Sequence, residues 1–134
     1  MKKLSFLLLI LAGSCQLIIN EEPNYYDARD NLVGRYQVDE FSESTEQYFS
    51  YSIDIYKSCC NSNEVVIYNF YDVDLEVSAQ FDGYKLIIPS QYIGDYKVEG
   101  TGRLENGELT VSYVVHNRFQ NPSTDFLYFT SWLN

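Results

Sequence analysis

One histidine, three cysteines and nine basic residues in 134 positions leave this chain short of the groups that catalysis, metal binding and nucleic-acid binding commonly need. His116 alone would have to serve a Ser-His-Asp hydrolase, and no serine sits in a nucleophile-elbow pattern to be activated by it. It is read instead as a surface histidine, on the strand phase opposite Val111, Tyr113 and Val115. With no convergent acid–base or nucleophile set, a non-enzymatic protein is expected. Apart from Cys15, the cysteines form the adjacent pair Cys59-Cys60, with no histidine nearby and no second pair to complete a zinc site. No cofactor is therefore expected. Nineteen acidic residues outnumber the nine basic ones, and such an excess repels phosphate backbones, which argues against a nucleic-acid partner. No apolar run reaches half of the roughly 20 residues needed to cross a bilayer. No stretch after Cys15 holds a helical period over three turns, and internal repeats and low-complexity tracts are lacking as well.

What the chain does have begins at its N-terminus. Met1-Lys2-Lys3 precedes a short apolar stretch and then Ala12-Gly13-Ser14-Cys15, the order of a secretory leader. The last four residues resemble a lipobox, whose cysteine thiol takes a diacylglycerol before cleavage on its N-terminal side. Ala12 stands where leucine is usual. The expectation is a signal peptide over 1–14, a lipidated N-terminus at Cys15 with a tether over 15–30, and one domain over 31–134. Removing the leader removes Lys2 and Lys3, so 19 acidic residues face 7 basic ones, a net charge of −12. Membrane attachment then has to come from acyl chains rather than from charge. Gln16 replaces the aspartate that retains lipoproteins at the inner membrane, which points to the outer membrane of a cell envelope. Glu21-Glu22 resembles a surface-export signal but lies further from Cys15 than usual, so the face of that membrane stays open.

Period-2 alternation recurs through the rest of the chain, and aromatic and β-branched residues favour strands. Strands are expected at Leu32–Glu40, Tyr48–Lys57, Glu64–Phe70 and Asp74–Phe81. A fifth ends at Pro89, and three more cover Asp95–Leu104, Glu108–Arg118 and Asp125–Leu133. Asp82-Gly83 reads as a type I′ turn, pairing Phe81 with Tyr84, Ala79 with Leu86 and Val77 with Ile88. Asn106-Gly107 pairs Leu104 with Leu109, Gly102 with Val111, Gly100 with Tyr113 and Val98 with Val115. It also sets Glu105 against Glu108, so a three-residue loop is the alternative there. The last strand, apolar on both faces, suggests burial on both sides. Asp72, Asp74 and Glu76 alternate onto one face, but Ca²⁺ needs more oxygens than they supply, and a solvated barrel exterior explains them. Eight such strands predict an all-β, up-and-down antiparallel meander barrel, with a two-sheet sandwich as the alternative.

The stretches Val65–Phe70, Val77–Gly83, Leu86–Gln91, Gly100–Leu104 and Leu109–Tyr113 resemble small lipocalin-like lipoproteins of Bacteroidetes type, over most of residues 32–118. Gly34-Arg35-Tyr36 sits where lipocalins carry Gly-x-Trp, with tyrosine in place of tryptophan. The resemblance implies a calycin-like barrel. Its inward phase would include Tyr36, Val77, Ala79, Leu86, Ile88, Val98, Val111, Tyr113 and Val115, with Gly100 and Gly102 leaving space. Tyr36, Tyr113, Val98 and Val111 are the candidate ligand-binding residues. Two functions follow: a barrel for a small apolar ligand, or a side-chain-filled barrel that holds an envelope protein. Cys59-Cys60 is either a strained vicinal disulfide, permitted in an oxidising compartment, or two turn residues.

Overall fold

The computed structural model describes residues 26–134. The leader, Cys15 and most of the tether lie outside the described residues. Eight antiparallel strands close into a meander barrel: β1 (Gly34–Ser42), β2 (Gln47–Lys57), β3 (Glu64–Phe70), β4 (Leu75–Phe81), β5 (Lys85–Ile93), β6 (Tyr96–Glu105), β7 (Glu108–His116) and β8 (Thr124–Leu133). β1 pairs with β8 from Tyr36↔Leu133 to Ser42↔Leu127. That pairing removes both sheet edges and with them the sandwich alternative.

Alternation explains the inner wall. On β1, Tyr36, Val38, Glu40 and Ser42 are buried while Arg35, Gln37 and Asp39 face out. All nine side chains expected to point inward are buried, joined by Ile53, Ile55, Ile67, Phe70 and Phe129 in one continuous core. β8 departs from expectation. Its inner face carries Asp125, Leu127, Phe129 and Ser131, whereas Phe126, Tyr128 and Trp132 are 54%, 45% and 44% exposed. A barrel strand has only one side to bury, so its second apolar face lies on the outer surface.

The two hairpins read from glycine dipeptides differ instructively. At Asn106-Gly107 both residues have positive φ, and the pairs Leu104↔Leu109 to Val98↔Val115 are those expected, with Glu105 facing Glu108. At Asp82-Gly83 the pairs are Phe81↔Leu86 and Gln80↔Ile87, two residues away from the expected register. Asp82 is not left-handed. Its carboxylate accepts the backbone N–H groups of Tyr84 (2.9 Å) and Lys85 (2.6 Å), and this Asx-type turn moves the tip to Gly83-Tyr84. A shift of two keeps every side chain on its own face, which is why the core was unaffected.

Pro89 does not end β5. The register against β6 shifts between Ile88 and Gln91, and a bulge is where a strand tolerates a residue without an N–H. Across the seam to β4, the Gln91 side chain stands in for a strand. Its amide nitrogen donates to the Ser78 carbonyl (2.9 Å), and its amide oxygen accepts the Ser78 N–H (3.0 Å).

One end of the barrel is closed. A 3₁₀ turn, Ala28–Asn31, lies across it, all but its last residue within the stretch expected to be tether. Leu32 is fully buried beneath that turn, and its carbonyl accepts the Tyr36 hydroxyl at 2.8 Å. Asp27 accepts from Arg29 through both carboxylate oxygens (3.0 and 2.9 Å), and the same guanidinium donates to the carbonyls of Ser58, Asn61 and Glu64. This clamp fixes the β2–β3 loop, where Cys59 and Cys60 form an exposed vicinal disulfide. A bridge between neighbours constrains the unfolded chain very little, and here the arginine already holds the loop. The double substitution Cys59→Ser, Cys60→Ser should therefore leave the midpoint of thermal unfolding almost unchanged. A large loss by calorimetry would make the pair a structural staple.

Candidate functional site

The opposite end is the mouth, formed by the β1–β2, β3–β4, β5–β6 and β7–β8 turns. Here the inward phase turns polar, because β1 brings Glu40 and Ser42 inside and β8 brings Asp125. Each group is paired. Oε1 of Glu40, a residue 3% exposed, accepts the Tyr51 hydroxyl at 2.8 Å and the Tyr113 hydroxyl. Asp125 accepts the Ser42 hydroxyl on Oδ1 and the Tyr71 hydroxyl on Oδ2 at 2.7 Å. Thr45 then ties the β1–β2 turn to Ser42, its hydroxyl donating at 2.9 Å. Tyr113 stands at the centre, its ring against those of Phe70, Phe129 and Tyr71 at 4.4, 6.1 and 6.3 Å.

Burial governs the electrostatics. It raises the carboxyl of Glu40 to about 7 although both tyrosine donors oppose the shift, and the neighbouring Asp125 and Asp72 add to the rise. Burial likewise raises the hydroxyls of Tyr51, Tyr71 and Tyr113, which stay neutral donors at any physiological pH. The backbone above is unusual. Asn69, Tyr71, Asp72 and Asp74, all in or beside the β3–β4 turn, have positive φ. For a side chain as bulky as Tyr71 this costs on the order of 1–3 kcal/mol. Its hydroxyl bond to Asp125 and the Asn69 amide, which donates to the Ser52 carbonyl at 2.9 Å, help hold the turn in place. Asp72 and Asp74 therefore belong to a turn, and only Glu76 lies on the barrel exterior. No three His, Cys, Asp or Glu groups among the described residues are placed to share a metal ion.

Between these turns a cleft of about 270 Å³ opens over the polar cluster, lined by Glu40, Thr45, Phe49, Tyr71, Asp72 and Asp125 together with Gln47, Val73 and Gln120. Phe49, in phase with the buried Tyr51, stands at the rim, 39% exposed.

The four residues singled out from sequence are not brought to one place. Tyr113 reaches the mouth cluster through its hydroxyl. Tyr36 is spent on the closed end, and Val98 and Val111 sit in the apolar core. Nor do Gly100 and Gly102 leave room for a ligand. A Cβ on Gly100 would lie 2.5 Å from that of Tyr113, and one on Gly102 would lie 2.8 Å from Cγ2 of Val111, so β7 already fills that space. His116 lies outside, its Nδ1 3.0 Å from the Thr124 hydroxyl, and takes no part in the mouth. Glu40, Asp125, Tyr51 and Tyr71 were missed. The signal available was strand phase: Glu40 follows Tyr36 and Val38 at period 2, and Asp125 precedes Leu127 and Phe129.

No protein-family model matches the sequence, and comparison with curated proteins returns no match.

Proposed function

We propose that this protein is a lipid-anchored lipoprotein of the bacterial cell envelope, held at the outer membrane through Cys15, whose lipocalin-like barrel is a non-enzymatic binding module. The binding end is the mouth. The observation that carries this reading is the confinement of the buried carboxyl groups, among the described residues, to one end of a largely apolar interior, directly beneath an open cleft. Burying a carboxyl is costly, and a domain that needed only stability would fill those positions with apolar side chains. The left-handed residues of the β3–β4 turn add to the case, since such strain gathers at binding sites. The ligand is small, because the packed core leaves the cleft rather than the lumen to hold it. A second reading, a module for an envelope protein, draws on the outward aromatics Phe126, Tyr128 and Trp132.

Two experiments test the proposal. Metabolic labelling with a fatty acid should mark the parent protein, and Cys15→Ala should lose the label and yield soluble or unprocessed protein. A labelled Cys15→Ala variant refutes the anchor. Native mass spectrometry of protein extracted gently from its own membrane, followed by a thermal-shift panel of lipophiles and polar metabolites, tests the barrel. Stabilisation by a small polar compound, lost when Val73→Trp fills the cleft, is expected. A stoichiometric lipid retained by Val73→Trp would move the site into the lumen. No stabilisation by any compound would favour the partner-binding reading.

A further inference from the structure

We infer that the mouth takes a small organic ammonium ion, an inference that rests on the mouth being the binding end. Three carboxyl side chains, Glu40, Asp72 and Asp125, line the cleft, and no lysine or arginine does. Their disposition matters more than their number. Asp125 is fully engaged, with Ser42 on one oxygen and Tyr71 on the other. Glu40 is not. Both tyrosine hydroxyls fall on Oε1, and among the described residues no donor reaches Oε2. Among the described residues no fully enclosed side-chain oxygen or nitrogen lacks a partner, so this second oxygen opens on the cleft that Glu40 lines. A side chain 3% exposed thus presents one free acceptor, pre-set by two tyrosines, to whatever enters.

The complement of that acceptor is a charged N–H donor. A charge-assisted bond is stronger than a neutral one, and stronger again in a site shielded from water. Asp72, on the rim, adds attraction at longer range, and the same carboxylates disfavour an anion. The remaining walls decide between a bare cation and an organic one. Phe49, Tyr71 and Val73 present rings and methyl groups, which suit a hydrocarbon stem and the face of a cation. A hydrated metal ion wants several more oxygens than this cleft arranges. The cleft's size, about 270 Å³, lies just under the usual range for ligand pockets and fits a molecule of few heavy atoms. The net charge, −10 for the whole sequence and −12 once Lys2 and Lys3 are removed with the leader, draws cations toward it. A cation bound at Glu40 favours the ionised carboxylate and would expel a proton near neutral pH.

n-Butylammonium, n-butanol and butyrate are the test, three probes of one length and three charges. Each is titrated by calorimetry into the full protein solubilised from membranes, at constant ionic strength. Butylammonium should bind about tenfold more tightly than butanol, with butyrate weakest. Titration in buffers of different ionisation enthalpy should show proton release near pH 7 that Glu40→Gln abolishes along with about tenfold in affinity. Asp72→Asn, an exposed turn position that leaves the core untouched, should weaken butylammonium by about two- to threefold and butanol not at all. Equal binding of butanol, tighter binding of butyrate, or indifference of butylammonium to both substitutions overturns the ammonium. If that binding is also lost in Val73→Trp, the mouth reading stands without it. Failure of all three probes to bind overturns the ammonium too, and the wider metabolite panel then decides the mouth.

Discussion

Gly100→Ala, the addition of one methyl group, should cost about 3 kcal/mol, or roughly 15 °C in the melting temperature of a domain this size. The new Cβ would stand 2.5 Å from Cβ of Tyr113, 2.6 Å from the Ser112 carbonyl oxygen and 2.9 Å from Cα of Tyr113. Two of these three neighbours are backbone atoms of β7, in the middle of a ladder that runs without a break from Lys97↔His116 to Glu105↔Glu108. No rotamer change relieves the clash. β6 must move away from β7, and that breaks paired hydrogen bonds and pulls Tyr113 off Glu40. Gly102→Ala should behave alike, since its Cβ meets the Thr110 carbonyl at 2.5 Å. The exposed, outward Thr101→Ala on the same strand is the control. If Gly100→Ala melts within about 2 °C of the parent, the close approach of these strands is wrong.

That both glycines face large residues of β7 was legible in the sequence, because a two-residue turn at Asn106-Gly107 determines every pair behind it. What the glycines do was not. A missing side chain opposite a tyrosine reads equally as a vacancy or as room for the tyrosine itself, and only the distance between the strands decides. β8 posed a similar ambiguity. With apolar residues in both phases, hydrophobicity does not say which face is inner. The barrel buries the phase that contains Asp125 and Ser131, because their partners, Ser42, Tyr71 and the Leu109 carbonyl, are also inside.

The mouth was harder to read for a related reason. Glu40 ends a run of alternating inward residues that the sequence displays openly. Its two donors, however, come from 11 and 73 positions further along the chain. A carboxylate at an inward position is improbable until its partners are known, and local pattern cannot supply them. Fold and core were thus legible from periodicity and turn chemistry. The site was not, because it consists of the exceptions to that periodicity, reconciled by contacts between distant strands.

Glu40→Gln should remove a pH dependence from the stability of the barrel. In the folded protein the Glu40 carboxyl is raised to about 7 by burial, against its ordinary value near 4.5. Between those two values the folded state keeps a proton that the unfolded state has released. Folding is therefore favoured at the acid end, and the advantage is lost as pH rises through about 7. The gap corresponds to an upper bound of about 3 kcal/mol. The groups around it are Tyr51 on β2, Tyr113 on β7, Asp125 on β8, and Tyr71 and Asp72 in the β3–β4 turn. All three tyrosines stay neutral across this interval. Other carboxylates run the opposite way. Asp54, paired with Arg35, and Asp82, bonded to backbone N–H groups, are held below their ordinary range, and their stabilisation is lost as pH falls. Both contributions are common to parent and variant and cancel in the difference. Gln keeps an acceptor for the two hydroxyls but has no proton to lose. Urea unfolding of both proteins from about pH 4.5 to about pH 8 should therefore show the variant gaining on the parent, most steeply between about pH 5 and about pH 6.5 and levelling above about pH 7. A difference that stays flat across that interval would mean that Glu40 titrates as an ordinary surface carboxyl, and the buried mouth cluster would fall with it.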